Sequence, residues 1–326
     1  MKRIVSILLL LCSLFSLLTL FGCNGDNDKK EGEKLSVVAT VFPLYDWAKN
    51  LIGEEREHIE LTLLLDDGVD LHSYQPTVKD MVTLTSCDLL IAIGGESDRW
   101  IDELPKRADG TEIRVLRLLD ALGDAVKEED LLGEEEEEHD HDHDHEEGEA
   151  DEHIFLSLRL AAVACREMEK ELSALDPSRE ETYDANLATY TAALDALDKQ
   201  YTEVTAAGTK RAVLVADRFP FRYLADDYGL SYDAAFLGCS AETEASFETV
   251  ARLSRRVDEW GLSYVLILDG SDGKIARTVI QNTAGKNQGI LTLNSLQSIT
   301  RAEAERGVTY LSVMRENLAV LQTALQ

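Results

Sequence analysis

Residues 179–206, REETYDANLATYTAALDALDKQYTEVTA, decide how the chain is divided. The stretch contains neither glycine nor proline. Tyr183, Leu187, Tyr190, Leu194, Leu197 and Tyr201 recur every three or four residues, which is the apolar stripe of one amphipathic helix. At 1.5 Å per residue such a helix runs about 42 Å, long for a simple crossover between strands.

On either side the pattern alternates strands with helices. Before it, 35–41 (LSVVATV), 59–65 (IELTLLL), 88–93 (DLLIAI) and 113–116 (IRVL) are short apolar or β-branched runs that read as strands. The spacing predicts helices over 42–52, 77–85 and 154–174. After it, 211–216 (RAVLVA), 232–237 (YDAAFL), 264–268 (YVLIL) and 290–293 (ILTL) read as strands, with helices at 221–228, 246–260, 273–283 and 308–325. Two sets of four βα units imply an α/β protein of two parallel-sheet lobes joined by the long helix. The cleft between them should face the carboxyl ends of the strands. Functional side chains are therefore sought just after each strand.

The chain has 326 residues and a formal net charge of −30. Seventeen acids against one base fall in 124–152 alone, so much of the excess belongs to one segment. Such a charge argues against a nucleic-acid partner, which needs basic patches. Within this segment His139, His141, His143 and His145 alternate with aspartates after a run of glutamates. Imidazole with carboxylate attracts divalent ions, but low complexity supplies nothing to order a fixed site. The tract reads as a solvated loop that gathers metal weakly.

The first residues carry an address. Lys2 and Arg3 precede an apolar run to Gly22, and Leu20-Phe21-Gly22-Cys23 resembles a bacterial lipobox. Residues 1–22 are expected to be a lipoprotein signal, Cys23 the lipidated residue, and 23–34 a polar tether. That places the protein outside the cytoplasm, in contact with a membrane through its lipid. The other cysteines, Cys12 in the signal and Cys87, Cys165 and Cys239 beyond it, are too few and too dispersed for a disulfide framework.

Two further histidines stand at element boundaries: His72 follows the second strand in GVDLHSYQP, and His153 opens a helix in DEHIF; on its own each reads as a capping or satisfied polar residue. His58, in EEREHIE, reads as a surface residue. No H-E-x-x-H or similar hydrolase motif is present, so an enzyme is not expected.

With these residues in view, the chain resembles the extracytoplasmic metal-binding component of zinc and manganese ABC transporters. The resemblance is carried by VVATVFPLY with DWAKNLIG (37–53), GVDLHSYQPTVKD (68–80), DEHIFLSLRLA (151–161), YLADDYGL (223–230) and VTYLSVMRENLAVLQTAL (308–325). It implies lobes at 35–178 and 207–326, joined by helix 179–206, with the metal between them and His72 and His153 as ligands. It also implies a monomer that delivers its ion to an ABC permease. Zinc suits nitrogen-rich ligands and is expected, with manganese or iron uptake, or a metal-regulated adhesin, as alternatives. The second lobe departs from the family pattern. A third ligand, usually His, would fall at Arg218, which cannot bind a cation, and a fourth, often Asp, at Asn294. Asp217 is the expected substitute, then Asp269, then Glu242, Glu244 or Cys239. Arg218 is expected to face Glu242. Glu96 and Asp98 are expected to orient a histidine from behind.

Overall fold

The computed structural model describes residues 34–66, 71–107, 110–129, 149–238 and 244–326. The lipobox with Cys23, the four tract histidines, Cys239 and Glu242 lie outside them. Leu35–Gln326 forms one compact unit.

The first lobe is built on β1 (Leu35–Ala39), β2 (Ile59–Leu63), β3 (Leu89–Ala92) and β4 (Arg114–Arg117), with α1 (Phe42–Ile52) and α2 (Val78–Ser86) between strands and the short α3 (Leu118–Leu122) following β4. All pairings are parallel and the strand order is β2-β1-β3-β4. Val37, Val38 and Ala39 on β1 are buried, as are all four residues of β3, because helices cover the sheet. Pro43 starts α1, where its missing N–H costs nothing. Thr77 caps α2 in a reciprocal box with Asp80.

Next come α4 (Leu158–Leu175), capped by Ser157, and the spine α5 (Glu180–Ala207). The spine buries Tyr183, Tyr190, Leu194, Leu197 and Tyr201, one residue out of register with the predicted span.

The second lobe repeats the plan. Its elements are β5 (Ala212–Phe219), α6 (Arg222–Asp227), β6 (Ser231–Leu237), α7 (Phe247–Trp260), β7 (Tyr264–Leu268), α8 (Lys274–Asn282) and β8 (Gly289–Leu293). The order is β6-β5-β7-β8, again all parallel. The chain closes with α9 (Arg301–Glu305) and α10 (Tyr310–Ala324). Helices α7 and α8 cover one face of this sheet through Leu253, Val257, Ala276 and Val279, while the other face joins the large core that runs through the first lobe and the spine.

Strand β5 runs three residues past the predicted 211–216. Val215 pairs with Ala234 and Arg218 with Phe236, so Ala216 and Asp217 together oppose Ala235. Asp217 therefore sits in a β-bulge, which re-aims a side chain, rather than after a strand. The last helix also goes beyond its lobe. Tyr310 N–H donates to buried Asp46 of α1 at 3.0 Å, its hydroxyl donates to the carbonyl of Phe155, and its ring meets Trp47 edge-on. Among the described residues no helix is long and apolar enough to cross a membrane.

Candidate metal centre

His72 lies in a 3-10 turn, Leu71–Ser73, after β2. His153 precedes a second such turn, Ile154–Leu156, which leads into α4. The two residues are far apart in sequence, yet their Nε2 atoms stand 3.3 Å apart and their ring centroids 5.3 Å. His153 is fully buried, and His72 keeps 14% of its side chain exposed towards the cleft.

Each ring is held from behind. The Nδ1 of His153 lies 2.8 Å from Asp151 Oδ1, which also accepts the backbone N–H of His153 at 2.9 Å. The Nδ1 of His72 lies 2.8 Å from Ser97 Oγ and 3.6 Å from Glu152 Oε2. The other oxygen of Glu152 accepts the Ser97 backbone N–H at 2.8 Å. Burial pushes the Glu152 carboxyl up, against the lowering effect of the Ser97 hydrogen bonds. The second lobe closes over His153: a Cβ on Gly238, just past β6, would stand 3.0 Å from His153 Cε1 and 3.0 Å from the carbonyl of Phe219.

The stretch that carries His153 is pinned at its start. Glu128 and Ala150 form an antiparallel bridge, with Glu129 N–H donating to Glu149 and Asp151 N–H to Lys127, both at 2.7 Å. The Tyr223 hydroxyl of α6 donates to the Asp151 carbonyl at 2.9 Å and accepts from Lys127 N–H at 3.0 Å. The second lobe thus holds the base of the acidic segment.

A cleft of about 1070 Å³ opens beside His72 and is lined from the second lobe by Asp217, Arg218, Glu244, Phe247 and Asp269. Strands β5 and β7 are neighbours from which the chain departs to opposite sides, and such a switch point is where open α/β sheets place ligands. Asp217 and Asp269 flank it. Neither carboxylate joins the histidine pair in a cluster of ligand atoms in this structure; among the described residues only Glu129, Asp151 and His153 bring three such atoms within 4.8 Å of one another. Asp217 Oδ1 accepts the N–H of Arg218 at 2.9 Å. Both Asp269 oxygens are engaged, one by Ser295 N–H at 2.7 Å and one by the Ser298 hydroxyl, so this carboxylate ties two loops together. Asn294 accepts Leu296 N–H at 2.7 Å in a tight turn where Leu296 has φ +65°.

Glu96 and Asp98 do not stand behind the histidines as the sequence suggested. Glu96 pairs with Arg99 on the surface, and Asp98, buried and pushed up to about 6 by that burial, accepts Gly94 N–H at 3.0 Å. Ser97, Asp151 and Glu152 take that place; the local signal for Asp151 was an aspartate two residues before a histidine. His58 is half exposed beside Glu55, away from the cleft. Cys87 and Cys165 are buried free thiols, and burial pushes Cys87 up to about 12, as expected for packed hydrophobes.

Known proteins agree with this architecture. The zinc-binding lipoprotein AdcA of Streptococcus pneumoniae serotype 4 is 33% identical over 326 residues, covering 99% of this chain and 61% of AdcA. The chain thus spans about three-fifths of the length of the first such relatives. The high-affinity zinc uptake system protein ZnuA of Bacillus subtilis is 30% identical over 305 residues, covering 92% of this chain and 90% of that protein. Among solved structures, the Zn(II)-bound ZnuA-like domain of S. pneumoniae AdcA matches with a TM-score of 0.68 at 27% identity, covering 90% of this chain and 99% of that one. A mutant laminin-binding adhesin of Streptococcus agalactiae shares the fold, with a TM-score of 0.74 at 22% identity, 90% of this chain and 100% of that one being covered. The family model for ZnuA, the periplasmic component A of the zinc-uptake complex, matches residues 37–324, and the chain therefore belongs to that family.

Proposed function

We propose that this protein captures Zn²⁺ outside the cytoplasm and delivers it to a membrane ABC permease, without chemistry on the ion. The observation that carries this reading is the 3.3 Å separation of the His72 and His153 Nε2 atoms. Two nitrogens at 2.0–2.1 Å on a tetrahedral zinc lie about 3.3–3.4 Å apart, so the pair needs little rearrangement to chelate the ion. The imidazoles are the nitrogen ligands that suit zinc better than manganese.

Two neutral ligands leave the ion short of four. Asp217, aimed by its bulge into the same cleft, is proposed as the third, reaching the pair when the lobes approach. Water or a further oxygen completes the set. Asp269 is the weaker candidate because its oxygens already hold Ser295 and Ser298. This arrangement makes occupancy and lobe closure one event, which lets a permease distinguish loaded from empty protein. Delivery as a monomer, tethered by lipid at Cys23 with residues 1–22 removed, completes the reading. Membrane fractionation of Cys23→Ser tests the tether, and unaltered retention with normal processing refutes it.

Competition against a chelator tests the capture itself. His72→Ala and His153→Ala each abolish tight zinc binding while His58→Ala leaves it intact. Retention of wild-type affinity in both variants, or stoichiometric preference for manganese in mixed-metal native mass spectrometry, overturns the proposal.

A further inference from the structure

The tripeptide Asp151-Glu152-His153 touches both imidazoles, and its two carboxylates diverge. Asp151 Oδ1 meets Nδ1 of His153 at 2.8 Å. Glu152 reaches the other ring, its Oε2 lying 3.6 Å from Nδ1 of His72. That oxygen is buried and has no hydrogen-bond partner, while Oε1 is fixed by Ser97 N–H. Glu152 is otherwise boxed in, since a Cβ on Gly95 would stand 2.6 Å from its Oε1. A buried carboxylate oxygen without a donor is costly, so its direction calls for an account.

We propose that Asp151 and Glu152 are the positioning residues of the metal pair, one for each histidine. The inference rests on the zinc-capture reading above and deepens it. An ionised carboxylate can only accept. At Nδ1 it therefore selects the ring form with the proton on Nδ1 and the lone pair on Nε2. Ser97 Oγ, 2.8 Å from His72 Nδ1, can donate or accept and does not make that choice alone. Glu152 makes it. With both protons held on Nδ1, the two Nε2 lone pairs face one another across 3.3 Å, a geometry that a cation between them relieves.

Charge supports the same assignment. Two neutral imidazoles bring no negative charge to a divalent ion in a buried place, where an uncompensated charge is costly. Asp151 and Glu152 place two carboxyl groups behind the ligands, one at hydrogen-bond distance from His153 Nδ1 and one 3.6 Å from His72 Nδ1. When zinc binds Nε2 it draws electron density from the ring and makes Nδ1–H a stronger donor. The 3.6 Å gap to Glu152 then shortens, and its orphaned oxygen gains a partner. Carboxylates in this position raise ligand basicity and fix ring orientation. The tripeptide follows directly on the pinned stem at Ala150, so the backbone that aims both carboxylates is set by the Glu128–Ala150 bridge.

The test uses the zinc-loaded mature protein, with Asp151→Asn and Glu152→Gln, which keep shape and remove charge. Zinc affinity from chelator competition is expected to fall about 10–100-fold in each. Long-range ¹H–¹⁵N correlation spectra of the imidazoles supply a readout that mere loss of packing does not produce. Each wild-type Nδ1–H is expected to be deshielded and protected from exchange. Asp151→Asn should move the His153 signal and leave that of His72, and Glu152→Gln should do the reverse. Affinities within twofold of wild type, or unmoved signals, overturn the inference provided His72→Ala and His153→Ala still lose binding. If those two variants bind normally, the capture reading itself has failed. Should Asp151→Asn not fold, Glu152→Gln decides alone, because Oε2 holds no hydrogen bond to lose.

Discussion

Gly238→Ala is a one-carbon perturbation in the second lobe with a consequence for a histidine of the first. The added Cβ would stand 3.0 Å from His153 Cε1, 3.2 Å from His153 Nδ1 and 3.0 Å from the Phe219 carbonyl oxygen. Carbon contacts are most favourable at about 3.5–4.0 Å, so the ring must retreat by roughly 0.5 Å or more. The carbonyl belongs to the backbone of β5 and gives less readily than a side chain. Retreat of the ring strains its 2.8 Å bond to Asp151 and shifts Nε2 out of line with that of His72. Overpacking of this kind costs about 1–3 kcal/mol. If the cost falls on the metal-free fold, the melting temperature drops by roughly 2–4 °C per kcal/mol. If it falls on the paired geometry, zinc affinity drops about tenfold for each 1.4 kcal/mol. Differential scanning calorimetry of the metal-free protein and zinc competition on the same sample separate the two. The expected result is at least a tenfold loss of affinity with a modest change in melting temperature. Unchanged affinity would refute the claim that Gly238 is required by the close approach of the second lobe to His153.

Removing residues 134–147, which spares the bridge at Glu128–Ala150, should leave a folded protein with one tight zinc site and fewer weak ones; loss of the tight site in native mass spectrometry would place a principal ligand in the tract. Asp217→Ala should weaken zinc by at least tenfold in chelator competition, and scattering should show less compaction on loading; unchanged affinity rejects Asp217 as a ligand. Asp46 gives a pH signature. Burial lifts its carboxyl from 3.8 to about 6, so the folded state holds the proton more firmly than the unfolded chain. The associated stabilisation is full below about 3.8 and is lost as pH rises through about 6, roughly 3 kcal/mol in all. Asp46→Asn should flatten the pH dependence of unfolding free energy between pH 4 and 7 relative to wild type, and parallel curves would contradict this.

The two lobes and the spine were legible because their signals are periodic. The spine's tyrosine and leucine stripe fixed its span to within one residue, and the strand at 264–268 coincides with β7. The extension of β5 was not legible, because Asp217 and Arg218 break the apolar run while a bulge keeps the strand paired. The turn Glu96–Glu103 was also hidden, being polar and held by contacts of Asp98 and Ser97 that no local pattern reports. His72 and His153 could be named from the motifs around them, but their meeting depends on β2 and the stem before α4 ending at the same place. The docking of α10 on the first lobe joins Tyr310 to Asp46 across most of the chain, a contact set by packing. The contribution of Gly238 is invisible in sequence because it is the absence of a side chain beside a ring from another lobe.

The central claim is that zinc is held between the two Nε2 atoms and not on the outer face of His153, where Glu129 and Asp151 approach the same ring. Anomalous scattering at the zinc edge from crystals of the loaded mature protein tests it most directly. The account predicts one dominant peak about 2.0–2.1 Å from Nε2 of both His72 and His153. A dominant peak beside His153 Nδ1, with Glu129 and Asp151 as its neighbours, would contradict it.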